Sequence, residues 1–158
     1  MPNWSEGSIK IKGSYDNIMH FIKTKLVPAN EHKDWLTITE HEDGSSICFN
    51  GFKEPFDWIY ISDTKRAFII PEPYVFWVDK SNDTVIALHF AQAWGVWLDE
   101  WIEIAKQYNL AFRFFTIDCG MGLYGDEIVL PDGTIQDLSP QWDSSAFIWN
   151  CPVPWFGG

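Results

Sequence analysis

The sequence predicts an α+β fold: a split βαβ sandwich, with an antiparallel sheet carrying two helices on one face. Three observations predict it. Residues 8–12 alternate apolar and polar and run into an amphipathic helical stretch. Residues 84–91 alternate in the same way, and a Trp-rich helical stretch and a third alternating run, 110–117, follow. Between these halves lies a less regular insertion punctuated by Pro55, Pro71 and Pro73. One domain is expected across residues 1–158, with its core at about 7–49 and 84–117. The insertion spans about 50–83, and a C-terminal hairpin and tail about 118–158.

Each element has a local reason. In the first strand Ile9 and Ile11 point one way, while Ser8, Lys10 and Lys12 point the other. Gly13-Ser14-Tyr15-Asp16 turns the chain, and Ser14 or Asp16 caps the helix that follows. Ile18, Phe21, Ile22 and Leu26 recur at helical spacing, with Lys23 and Lys25 near the negative end of the helix dipole. Val27-Pro28 ends that helix. A polar linker leads to a strand at 35–39, and Glu42-Asp43-Gly44 turns it into a hairpin partner at 46–49. Short apolar runs at 58–61, 67–70 and 74–78 read as strands or packed loop laid over the main sheet.

In the second half, Ile86, Leu88 and Phe90 share one strand face. Trp97, Trp101, Ile104, Ala105 and Tyr108 share one side of a helix at about 96–109. Phe112 and Phe114 share a face of the strand after it. Residues 126–130 with Pro131-Asp132-Gly133-Thr134 read as a hairpin. The tail, 139–158, carries Trp142, Trp149 and Trp155, so it is expected to pack on the body or bind something.

Strand, helix, strand, twice over, is the ferredoxin-like split βαβ plan. Met1-Pro2-Asn3-Trp4, Phe90-Ala91-Gln92-Ala93-Trp94 and Asp118-Cys119-Gly120-Met121-Gly122-Leu123-Tyr124-Gly125 resemble motifs of the YubB ferredoxin-like domain family. Two positions depart from that pattern. Ser5 stands where family members usually have Cys, and Gly95-Val96-Trp97 stands where they tend to carry Ser-Pro-Pro. The resemblance implies the fold and a plasmid or phage context. It implies no catalytic residue and no cofactor, because the family has no established biochemical function.

Composition narrows the partners. The 10 Trp and 12 Phe exceed ordinary core needs enough to suggest a recognition surface as well. A net charge of -11 repels phosphate backbones and anionic lipid, which argues against generic nucleic-acid or membrane affinity and favours a basic protein partner. Cys48, Cys119 and Cys151 are odd in number and widely spaced, so no disulfide framework or Cys-only zinc site is expected. Without a signal sequence or a spanning apolar stretch, the expected location is the cytoplasm.

No catalytic signature emerges. His20, His32, His41 and His89 lack metal-ligand spacing, so no metal site is expected. Cys48 lies in an apolar strand as an inert thiol. Cys119 lies in a Gly-flanked turn, but neighbouring Asp118 disfavours its thiolate. Asp99, Glu100 and Glu103, and the pair Asp126-Glu127, read as solvated polar edges rather than an acid–base pair. Gly120-x-Gly122-x-x-Gly125 precedes a strand instead of opening a helix, which defeats a dinucleotide reading.

Strand parity suggests one binding surface. If the helices cover the face of Ile9, Ile11, Leu36, Ile38, Ile86, Leu88, Phe90, Leu110, Phe112 and Phe114, the reverse face gathers Lys10, Lys12, His89, Arg113 and Phe115. RNA-recognition domains read bases on the equivalent face. Two situations are open: this face binds an anion, a nucleotide or an acidic segment, or the insertion or tail covers it and Asp137 or Asp143 neutralises its cations.

Three functions follow. The first is a non-enzymatic interaction module of a mobile element, binding a protein through acidic and aromatic surface. The second is nucleotide or single-strand binding on the sheet face. The third is an enzyme with an unrecognised site near Cys119, Asp118 and His89.

Overall fold

Ile9 and Ile11 sit at the centre of the observed sheet, on strand β1 (Trp4–Gly13), where both are fully buried. β1 pairs antiparallel with β8 (Thr84–Ala93) on one side and with β9 (Ala111–Asp118) on the other. The computed structural model describes residues 3–29, 36–42, 44–51, 57–70, 74–77, 83–118 and 121–141. The tail from 142 onward, with Asp143 and its three Trp, and the Cys119-Gly120 turn lie outside the described residues.

The main sheet has eight strands in the order β11-β10-β9-β1-β8-β6-β5-β2. β10 (Leu123–Val129) and β11 (Ile135–Asp137) extend it beyond β9. β6 (Ala67–Ile70), β5 (Ile59–Ile61) and β2 (Leu26–Pro28) extend it beyond β8. Helix α1 (Tyr15–Lys25) carries the chain from β1 to β2 at the far edge. Helix α2 (Leu98–Tyr108) carries it from β8 over β1 to β9. Ser14 caps α1, its Oγ accepting from Asn17 N at 3.3 Å, and Asn109 ends α2 in the left-handed region. No helix among the described residues is long and apolar enough to cross a membrane.

Two expectations are corrected. Residues 59–61 and 67–70 do not lie over the sheet but are two of its strands. Ile69 stands opposite Phe90 in register, so β6 satisfies the backbone edge of β8 while adding a side chain to the same buried face. With that edge taken, β3 (Thr37–Glu40) and β4 (Ser46–Asn50) cannot join beside β8. They form a second, three-stranded sheet with β7 (Tyr74–Phe76), in the order β3-β4-β7. Ile38 therefore belongs to that second sheet and Leu36 directly precedes it; both pack against the common hydrophobic core that Ile47, Phe49 and Val75 of the same sheet enter.

That core lies between the helices and one face of the main sheet, as alternation requires. Ile86, Leu88, Phe90, Phe112 and Phe114 meet Ile18, Phe21 and Ile22 of α1 and Trp101, Ile104, Ala105 and Tyr108 of α2. Trp101 is its hub, with ring centroids 4.8 Å from Phe114, 5.1 Å from Phe112 and 5.9 Å from Phe90. The helices also meet through polar atoms, Thr24 Oγ1 lying 2.8 Å from the Tyr108 hydroxyl.

Candidate functional site

Parity across five strands builds two surfaces, one on each side of the sheet. On the side away from the helices, one transverse row reads Ala87, Lys10, Arg113, Ile128, Gln136. The next row outward holds Val85, Lys12 and Ala111. All of these but Ala87 line a hollow of about 300 Å³ whose floor is apolar and whose wall is cationic. Lys10 and Lys12 are exposed there. Of the five residues expected on this surface, the hollow brings together Lys10, Lys12 and Arg113.

His89 and Phe115 stand apart. Both flank Ser8 in another row, Ile70, His89, Ser8, Phe115, Asp126. Ser8 and Asp126 are buried, and His89 and Phe115 are half-buried and engaged in further contacts, so this row is not an open binding face.

The charge of Arg113 is already used. Its Nε and Nη2 donate to Asp126 Oδ1 and Oδ2, both at 2.8 Å, in a bidentate pair. That hydrogen-bonded carboxylate raises the guanidinium pKa above its ordinary value, against a smaller opposing effect of burial. Neutralisation thus comes from Asp126 rather than Asp137, whose Oδ1 accepts from Ser139 N. Among the described residues, Lys10 and Lys12 have no ion-pair partner.

On the helix side, at the end of the sheet, lies a second cavity of about 250 Å³. Ser5, Trp94, Val96, Thr116, Asp118 and Glu127 line it, with Leu123 and Gly125 alongside. Strand alternation sends Asp126 to one face and Glu127 to the other, so these adjacent carboxylates have unrelated environments. Glu127 stands opposite Phe114 at the edge of the aromatic core, and its Oε2 is buried with no hydrogen-bond partner among the described residues. Desolvation, then the charges of Asp137 and Asp126, push its carboxyl up to about 7. A Cβ at Gly125 would come within 2.6 Å of both Glu127 carboxyl oxygens, so a larger residue there would push that carboxyl group aside. This corrects the expectation that Asp126-Glu127 is a solvated edge: one carboxylate is ion-paired inside, and the other is partly dry. Asp118 is also buried, and its Oδ1 accepts from Met121 N at 2.9 Å.

A buried amide holds the loop above this cavity. Gln92 Oε1 accepts from Trp97 N and Trp101 Nε1, both at 3.3 Å, while its Nε2 donates to Lys65 O and Glu100 Oε2. All the hydrogen-bonding capacity of that side chain is engaged, which anchors the β8–α2 connection to the β5–β6 turn. Trp94 then projects outward, 58% exposed, in a left-handed conformation (φ 62°). Its amide donates to Asn3 O at 2.7 Å, and the Arg66 guanidinium carbon lies 5.4 Å from its ring centroid. Trp97, expected within the buried stripe of α2, instead stands just before the helix and is exposed, with Lys65 Nζ 4.3 Å from its ring.

Sequence reasoning named Asp118 and Glu127 but missed the cavity. Gly125 between flanking strand residues was the one available signal, because a strand glycine marks close approach of another group. Cys119 lies outside the described residues, and Cys48 is buried and free. Comparison of the chain with protein-family models, with curated proteins and with solved structures finds no match.

Proposed function

We propose that this chain is a non-enzymatic binding module of the cytoplasm, built on a ferredoxin-like split βαβ frame and related to the YubB ferredoxin-like domain family of mobile elements. Its ligand on the sheet face is a compact phosphate-bearing molecule of nucleotide size. The observation that carries this reading is the hollow beneath Lys10 and Lys12. In a chain of net charge -11, two ammonium groups with no ion-pair partner among the described residues, over an apolar floor of Val85, Ala111 and Ile128, suit phosphates on a flat ring system. The split plan is supported by β1 lying between β8 and β9, with α2 joining those outer two strands.

The test is calorimetric titration with adenosine triphosphate at low salt. Binding is expected in the wild type and lost in Lys10→Glu/Lys12→Glu, whose two changes fall on exposed side chains. Equal affinity in the two proteins overturns the reading. Tighter binding of oligothymidylate than of the nucleotide moves the ligand class to single-stranded nucleic acid.

A second reading is a protein partner, in keeping with the acidic and aromatic character of the chain. It is favoured by exposed Trp94, Met121 and Leu123 near one end of the sheet, where large apolar side chains are left in water.

A further inference from the structure

The cavity at the sheet end combines features that the sheet-face hollow lacks. It holds two carboxyl groups, Asp118 and Glu127, and two buried hydroxyl-bearing residues, Ser5 and Thr116. Trp94, Val96 and Leu123 supply its apolar wall. Among the described residues that line it, none is Lys, Arg or His. Its contents are those of a site for a positive ligand with an apolar stem, since carboxylates attract the charge and a Trp face attracts it further. The Arg66 guanidinium carbon lies 5.4 Å from the centroid of the same Trp ring, so the indole already meets one cation of this chain. Its volume is too small for a drug-sized molecule and suits one amine-bearing chain.

We propose that this cavity binds a compact organic ammonium group, held by the Glu127 and Asp118 carboxylates against the Trp94 ring. This goes beyond the anion reading of the sheet face and is independent of it. The charges that raise the Glu127 carboxyl are Asp137 on β11 and Asp126 on its own strand, and Asp118 on β9 lines the same cavity. All are acidic, so an arriving cation relieves repulsion as well as forming a pair. Because Glu127 is half protonated near pH 7, the ammonium competes with a proton, and affinity rises as pH rises through that value.

The probe is n-butylammonium, titrated into the isotope-labelled chain and followed by backbone amide shifts at Thr116, Gly125 and Glu127. Binding at about pH 8 is expected to exceed that at about pH 5 by tenfold or more, the effect of about one lost ion pair. Glu127→Gln, an isostere that removes a poorly solvated charge, should fold, lose that pH dependence and bind about tenfold more weakly at the higher pH. Lys10→Glu/Lys12→Glu should bind n-butylammonium as the wild type does, which separates this site from the sheet-face reading. A peptide presenting one lysine that binds at least as tightly as the free amine assigns the ammonium to a protein partner, and weaker peptide binding assigns it to a free amine. No shifts at those amides with millimolar amine, equal affinity for n-butanol, or a pH dependence retained in Glu127→Gln would each overturn the proposal.

Discussion

Arg113 and Asp126 grip each other from diagonal positions on β9 and β10, the guanidinium 38% exposed and the carboxylate 1% exposed. This asymmetry makes the pair structural. Removing the arginine strands a buried carboxylate, whereas an unneutralised surface cation could be reversed at little cost. Arg113→Glu is therefore expected to destabilise the fold by about 3 kcal/mol or more, read as a lower urea midpoint. Lys10→Glu should change stability by less than about 0.5 kcal/mol in the same measurement.

Glu127 makes stability depend on pH in an unusual direction. Its folded carboxyl titrates at about 7, against an ordinary 4.5, so between those values the folded chain keeps a proton that the unfolded chain has lost. The contribution is neutral below about 4.5, turns unfavourable as pH rises through the window, and is fully unfavourable above about 7. Water at its exposed side limits the cost to about 1–2 kcal/mol. Glu127→Gln should then raise Tm by about 3–6 °C at pH 8 and leave it nearly unchanged at pH 4, measured by calorimetry.

Gln92 satisfies four partners at once, so its loss cannot be repaired by water in a site with no exposed surface. Gln92→Leu should cost about 3 kcal/mol, because the Trp101 indole N–H and the Trp97 amide both lose their acceptor. Faster amide exchange at Trp97 than in the rest of α2 is the accompanying sign that the β8–α2 connection has loosened.

Gly7 lets β1 and β9 approach closely. A Cβ there would strike the Phe115 carbonyl and come within 2.8 Å of Thr116 Cα, both backbone and unable to swing aside. Gly7→Ala is expected to lower stability by about 2 kcal/mol, and Gly95→Ala to act differently. At Gly95 no atom obstructs a Cβ, so the cost there comes from its φ of 106° alone. Thermal unfolding of both variants checks this contrast.

The alternation of Ile9, Ile11, Ile86, Leu88, Phe90, Phe112 and Phe114 was legible because a strand side chain's face depends only on parity. The helical stripe of Trp101, Ile104, Ala105 and Tyr108 was legible for the same local reason. The cationic face was half legible: parity placed Lys10, Lys12 and Arg113 together, but nothing in the chain order says that Asp126 reaches Arg113. Leu36 and Ile38 were misassigned because a short apolar run is compatible with any sheet that offers an edge.

By its own order of residues, then, the chain determined which positions turn inward, which two stretches form its helices, and that its surface is acidic. Tertiary structure alone decided that β6 rather than β3 lies beside β8, that Asp126 is paired, and that Glu127 is left dry beside a glycine. Periodicity is a property of neighbours along the backbone, whereas strand partnership and desolvation depend on groups dozens of residues away that only folding brings within a few ångströms.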